Sequence, residues 1–537
     1  MRMKRLGFLL LLSLVALLVV GCGNPSTTDE KERPAEKEGN VADSTTDTSY
    51  TGGDLHVALN TQPPLLDPHV GVPTATRDAA RPIFETLVTL NSNYEVQPLL
   101  AEKFEQSADG LAFTFHLRKG VKFHNGKEMK AEDVIASLER WTRIAGRAKN
   151  AIGDGEFKEL DEYTVQLTLP EPSVGALHVL GSPIQFGGIM PKEIVENAPD
   201  EGVTEYIGTG PFKFVEWKQD QYIHYVPYED YQSPEGAPDG LAGKREALVD
   251  NLYIDFVVDN STRVAGMTTG EYDIGINMPV DTYEQLKNTA NLKNDIAMAS
   301  GPAVVFNKKE GLMTDPAMRQ AFNMALDYEE IMLAGFTGEE FYRLSPGIMS
   351  QEQKDWFTDA GKENYNPNNP ELAKKMFEEA GYNGEPIRIL TTRDYDYMYN
   401  AAIVIQAQLE RIGLQVKLDV VDWPTFMQIH TDPAVYDVFT SGFSTVTDPT
   451  QHLIFESTTY SGWNDDEKTA DLIAKIRTSA SPADAYPFWE ELQEHTWTTQ
   501  LPYIRFGDSS VLYTYSDGLA GFSQFEGIIL WNVGKID

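Results

Sequence analysis

The spacing of apolar residues along this chain marks out its elements. In DPAMRQAFNMALDYEEIM, Asp315 reads as an N-cap and Pro316 as the first helical residue. Phe322, Ala325 and Leu326 then recur on one face, which predicts a helix. Asp327 caps a second, short helix behind it. NPELAKKMFEEAGYNG repeats the plan: Asn369 caps, Pro370 leads, Leu372, Met376 and Phe377 point inward, and Gly381 ends the helix. PIRILTT then reads as a strand, and Tyr397 to Ile412 as a helix with Ile405, Leu409 and Ile412 on one face, stopped by Gly413. LQVKLDVV alternates through Leu414, Val416, Leu418 and Val420, the pattern of a half-buried strand. A short helix from Pro424 and a strand near VYDVFTSGF follow. Strand, helix and strand in succession predict a sheet with crossover packing.

The earlier part of the chain reads differently. LAFTFHLRKGVKFHNGKEMKAEDVIASLERW predicts two strands joined at Lys119-Gly120, a turn at Asn125-Gly126, and a helix from about Ala131. YTVQLTL is another alternating strand. The whole predicts mixed α and β structure, and nearly all of the 537 residues from about Tyr50 onward are ordinary globular material, enough for two to four lobes.

The first 50 residues break this pattern. Arg2, Lys4 and Arg5 precede an apolar run, Leu6 to Val20, which falls short of the roughly 20 residues that span a membrane. A cationic start, a brief apolar core and small residues at its end predict a secretory signal over residues 1–21. The only cysteine, Cys22, follows at once. Val19-Val20-Gly21-Cys22 resembles the lipobox of bacterial lipoproteins, which implies cleavage before Cys22 and acylation of its thiol. Residues 22–51 carry almost no large apolar side chain before Tyr50, too few to offset the entropy of ordering them, so they are expected to form a disordered tether. With a single cysteine, no disulfide can form within the chain.

The formal net charge is −37, from 44 Lys and Arg against 81 Asp and Glu. Such a surface repels phosphate backbones and argues against nucleic-acid binding. Its ordinary meaning is solubility.

Candidate catalytic chemistry is thin. Gly507-Asp508-Ser509 resembles the Gly-Asp-Ser of some lipases, but it lies thirty residues from the C-terminus without a plausible histidine and acid partner. GTGPFKF lacks the third glycine and the following helix of a dinucleotide fingerprint, and reads as a turn feeding a strand. The nine histidines are dispersed, none at metal-ligand spacing. His116 and His124, expected on neighbouring strands, are the best pair, and a structural role is the simpler reading. These residues predict no enzyme, no metal and no cofactor.

Four segments in order carry a resemblance: FTFHLRKGVKFHNGKEMKAEDVIASLER, GTGPFKFVEWKQDQYI, FNKKEGLMTDPAMRQAFNMALDYEEI and NPNNPELAKKMFEEAGYNG. Together they resemble the solute-binding proteins of peptide and nickel ABC importers (family 5), from about Gly52 to the C-terminus. The resemblance implies an α/β, periplasmic-binding-protein-like fold of class II type, in its large three-lobed variant with mixed sheets. Lobe I is expected from residues 52–90, 208–300 and 512–537, an inserted lobe II from 91–207, and lobe III from 301–511. Ligand is expected between lobes I and III, which close about a hinge. The implied role is that of a monomeric binding lipoprotein at the outer face of the cell membrane, or in the periplasm of a two-membrane bacterium. It would hand a small solute, a peptide first of all, to ABC permease subunits.

The resemblance also nominates cleft residues. Peptide-binding members hold the ligand's N-terminal ammonium on an Asp shortly before an acidic-Pro pair. Here Gly442-Phe443-Ser444 aligns with the family's Gly-Trp-x, Asp448-Pro449 with the acidic-Pro pair, and Val446 with the ammonium-binding Asp. A second cleft acid aligns with Val304. Nickel-binding members place His directly after Asp-Pro, where this chain has Thr450 and, two residues on, His452. The loss of both acids leaves three ligands open: a peptide whose amine is paired elsewhere, for instance by Asp448; a neutral oligosaccharide; or an opine-like solute. Phe443, Trp423 and Trp463 are candidates to stack on a sugar, against core packing as the simpler role. Val70, Gly71, Val72 and Asn277 also align with cleft positions. Arg393 and Asp394, after a strand end, fit either a ligand carboxylate or a surface pair.

Overall fold

The computed structural model describes residues 49–455 and 460–536. The expected signal peptide, Cys22 and nearly all of the tether lie outside the described residues.

The helix signals are met locally. Asp315 caps Pro316–Met324 by accepting from the Ala317 amide, and Asp327 caps Tyr328–Phe336 through the Glu329 and Glu330 amides. Asn369 caps Pro370–Glu379 through the Leu372 amide. Each cap satisfies an amide that the first helical turn leaves without a carbonyl. Phe377 is buried as expected, but Leu372 is 41% exposed. It sits in the first turn, where only Ala373 reaches the core.

One mixed sheet of twelve strands runs through the molecule. Its path is Val416–Val421, Ile387–Thr392, Val438–Ser444, Leu292–Phe306, Asp508–Ser516, Ile274–Gly275, Asp54–Leu59, Asn251–Phe256, Tyr222–Pro227 and Phe212–Lys218. The short strands Tyr342–Arg343 and Tyr503–Arg505 pair off this path. Two parallel trios form, Ile387–Thr392 between its two neighbours at one end and Asp54–Leu59 between its own, with two antiparallel strands beyond the second trio. Val416–Val421 is an edge strand, which is why the alternation expected there is only partly used and Val420 is 37% exposed.

The 15-residue strand Leu292–Phe306 ties the two ends together. Its first half pairs with Asp508–Ser516 and its second with Val438–Ser444 and Tyr503–Arg505. The register slips between Met298 and Ser300, leaving Ala299 as the extra residue of a β-bulge. Such an insertion bends a strand and re-aims its side chains.

A separate four-stranded antiparallel sheet is built from Ala101–Gln106, Ala112–Leu117, Thr164–Thr168 and Glu156–Asp161, with the helix Ala131–Ile144 packed against it. The expected second strand after Lys119-Gly120 is reduced to an isolated bridge, Lys122 with Glu128, around the turn at Gly126. His124 therefore lies outside any strand and bonds through Nε2 to the Gly210 carbonyl.

Apolar side chains gather in four cores. One draws on residues 55–90, 186–297 and 513–533. A second belongs to residues 87–189. The other two lie almost wholly within residues 264–512, on the two faces of the long strand: Val304 and Phe306 join one, Ala303 and Val305 the other.

Candidate functional site

Where the long strand bends, a cavity of about 290 Å³ opens beside it. Ile296 to Gly301 form one wall, and Ser444, Thr445 and Val446, just past a strand end, form another. The loop Ile348–Gln353, the residues Arg505 and Asp508, the tip Gln524–Glu526 and the side chain of Tyr94 complete it.

The tip is held by main-chain contacts. Arg81 donates to the carbonyls of Phe525 and Ile528, both at 3.3 Å, and of Glu526 at 2.7 Å. Glu526 is forced to a φ of 47°, a region unfavourable to residues with a side chain. Its carboxylate accepts a 2.6 Å hydrogen bond from the Tyr94 hydroxyl. Burial, and then the Glu526 charge, raise the Tyr94 pKa well above the usual phenol range.

On the opposite side the charges are closely paired. Arg343 grips Glu352 with two bonds of 2.8 and 2.9 Å and reaches Asp508 through Nε at 2.8 Å. Arg505 binds the other Asp508 oxygen and the Gly347 carbonyl. The Arg343 contact is the main reason why the Glu352 carboxyl is held down to about 2. His452 also lines the cavity. Burial, reinforced by Arg505 and Arg147, lowers its pKa to about 3, so the ring is neutral.

Of the residues nominated from sequence, Phe443 and Val446 line this cavity. Phe443 stands edge-on to Tyr503 at 5.6 Å and 4.8 Å from the His452 ring. Val446 is 8% exposed, and its carbonyl accepts from Gln353 at 2.6 Å. The others lie elsewhere. Val304, expected in the cleft, is fully buried mid-strand between Thr440 and Ile504, packed in a core. Asp448 is fully buried and committed to Thr450 and Gln451, with its side chain against Gly175. Trp423 stacks on Phe426 at 5.2 Å, the core packing that competed with a ligand role. Trp463 lies 6.4 Å from Tyr436, with the Lys309 ammonium over its ring. Asn277 bonds Asn60 at 3.0 Å. Gly71 is buried against Thr76, the Val70 carbonyl accepts weakly from Gln185, and Val72 is 54% exposed on the loop before the helix Thr74–Ala80. Arg393 rests on Tyr399, and Asp394 accepts from the Trp423 amide.

Sequence reading missed Tyr94, Glu352, Gln353, Arg505 and Glu526. Gln-Phe-Glu-Gly was the available hint, since a glycine after polar residues marks a tight tip. Ser509 bonds Ser300 Oγ at 2.8 Å rather than any histidine. Among the described residues no cluster of three or more His, Cys, Asp or Glu is arranged for a metal, and no helix is long and apolar enough to cross a membrane.

Residues 95–466 match the family model for bacterial extracellular solute-binding proteins, family 5. The chain is 27% identical over 504 residues to a probable peptide ABC transporter periplasmic-binding protein of Sinorhizobium fredii, covering 88% of this chain and 91% of the relative. It is 28% identical over 490 residues to the oligopeptide-binding protein AppA of Bacillus subtilis, covering 85% and 83%. Among solved structures it is similar to AgaA of Agrobacterium tumefaciens R10, crystallised with agropinic acid, at a TM-score of 0.74 and 27% identity, covering 90% of this chain and 99% of that one.

Proposed function

Because the chain belongs to the bacterial extracellular solute-binding proteins of family 5, we propose that it captures a peptide or peptide-like solute outside the membrane. It then passes the solute to the permease of an ABC importer. The observation that carries the reading is the cavity at the bend of the long strand. Residues Ile296–Gly301 and Ser444–Val446 line it, among them Ala299, the bulged residue that the strand ladder leaves without a partner for an extended ligand to meet. The peptide relatives support the same ligand class. The opine-like alternative is favoured by two observations: the likeness to the agropinic-acid protein, and Val446 in place of an ammonium-binding acid.

In this reading the protein has three lobes with the boundaries expected above, and the separate core of residues 87–189 supports the inserted one. Lobes I and III close on the solute, the closed form docks on the permease, and no bond of the solute is broken. Acylation of Cys22 keeps the protein at the membrane as a monomer. Ligand-dependent thermal unfolding tests the proposal. A bound solute at 100 times its dissociation constant adds about 2.7 kcal/mol of stability. Stabilisation by tri- to pentapeptides supports the peptide reading. Stabilisation by opines or oligosaccharides alone replaces it.

A further inference from the structure

Beside the main cavity lies a narrower cleft lined by Arg147, Ser182, Pro183, Ile184, Thr447 and four residues that also line the cavity: Tyr94, Thr445, Val446 and Glu526. The two spaces therefore adjoin. Arg147 enters from the short helix Gly146–Ile152, whose Ala148, Ala151 and Ile152 are buried in the core behind it. That packing fixes the backbone and leaves the guanidinium at the cleft.

Among the described residues Arg147 makes no hydrogen bond and no ion pair. Two carboxylates act on it from nearby, Glu526 and Asp448, but neither bonds it. Glu526 accepts from Tyr94, and Asp448 from Thr450 and Gln451. Burial lowers the Arg147 pKa despite both charges, the mark of a cation without a close partner. A guanidinium keeps its charge at any ordinary pH and presents five donors in a planar fork that matches a carboxylate. The side chain is only half-buried, so water satisfies the fork in the ligand-free chain and a ligand carboxylate can take its place.

We infer that Arg147 receives a carboxylate of the bound solute, so that the end of the ligand lying at Val446 is anionic. The inference rests on the cavity being the solute site, and it names the ligand's chemistry there. Where an acid at position 446 would hold an ammonium, this chain has an uncharged side chain with a cation in the same cleft. That corner therefore offers a ligand a cation at Arg147, with Glu526 beside it. A free C-terminus, an acidic side chain or the carboxylate of an opine satisfies it. A solute whose only charge is an ammonium does not.

The test uses the full chain in detergent and two libraries of tri- to pentapeptides. One library is N-acetylated with free C-terminal carboxylates. The other has free amines and C-terminal amides. The acid library is expected to raise the unfolding temperature and the amide library to do so weakly or not at all. Arg147→Met is expected to weaken binding of the acid library at least ten-fold, with Arg147→Lys in between. Equal shifts by both libraries, or unchanged binding by Arg147→Met, overturn the inference. Loss of ligand-free stability in Arg147→Met overturns it too, because the residue is then structurally paired. Failure of both libraries on the wild type sinks the peptide reading by itself. Arg147 is then judged by replacing chloride with acetate at constant ionic strength. Stabilisation of the wild type but not of Arg147→Met supports the inference, and equal responses overturn it.

Discussion

The main cavity and the cleft that adjoins it treat charge in opposite ways. At the first, Arg343, Glu352, Arg505 and Asp508 form a chain in which every member has a partner on the protein. At the second, Glu526 is held only by Tyr94, and Arg147 by nothing among the described residues. The first has its electrostatics completed by folding, so it acts as frame. The second is left for water or a ligand to complete. A charged residue in a cleft therefore says little by its presence. Its count of satisfied hydrogen bonds separates scaffold from recognition.

The sharpest way to break this contrast is Asp508→Ala. It leaves the buried Arg505 without its carboxylate and takes one partner from Arg343. Removing one member of a buried pair is expected to cost about 3 kcal/mol, read as a lower denaturant midpoint with an unchanged slope. Arg147→Met should do the reverse, weakening ligand binding while leaving that midpoint where it was. Equal losses of stability from the two variants would erase the distinction.

Acid supplies the next test. Because the His452 pKa is depressed from 6.5 to about 3 in the folded chain, the unfolded chain takes up the proton first as pH falls. Between those values the unfolded state binds more protons, so stability falls with falling pH, by up to about 1.4 kcal/mol per unit, and levels off below about 3. Glu352, held down to about 2, adds its own loss, which begins near pH 4.5. His452→Phe should make the pH 6.5 to 4.5 limb shallower, leaving the share of His69 and His124, which burial lowers to about 4, and should leave the lower limb in place. An unaltered upper limb assigns it to other groups. The smallest expected effect is that of Tyr94→Phe, which removes one bond to a carboxylate and should cost about 1.5 kcal/mol. It also leaves Glu526 free to turn toward Arg147. A drop in affinity for the acid library larger than the stability loss would show that competition.

The parts of this molecule legible in its sequence are those decided within a few residues. Asp315, Asp327 and Asn369 cap the helices they announce because a cap acts on the next turn of its own chain. Phe443 and Val446 were reachable because they share one segment with the Asp-Pro pair that locates it. Val304 shows the limit. A buried strand reads the same from either face, and here the face that holds Val304 packs on the helical core. Tyr94, Glu352, Arg505 and Glu526 come from four distant segments, and nothing local joins them. Arg147 looked like any arginine of a polar helix start. Only its lack of a bond to Glu526 or Asp448 sets it apart.

Arg81 grasps the Phe525–Ile528 turn by its carbonyls alone. Any side chain placed at position 526 inherits the same main-chain hold, so the group that faces the cleft can change while the turn stays put. The φ of 47° narrows that freedom, because Asn, Asp and Gly tolerate it and β-branched residues do not. Drift at this position should therefore run toward small polar residues and avoid valine and isoleucine.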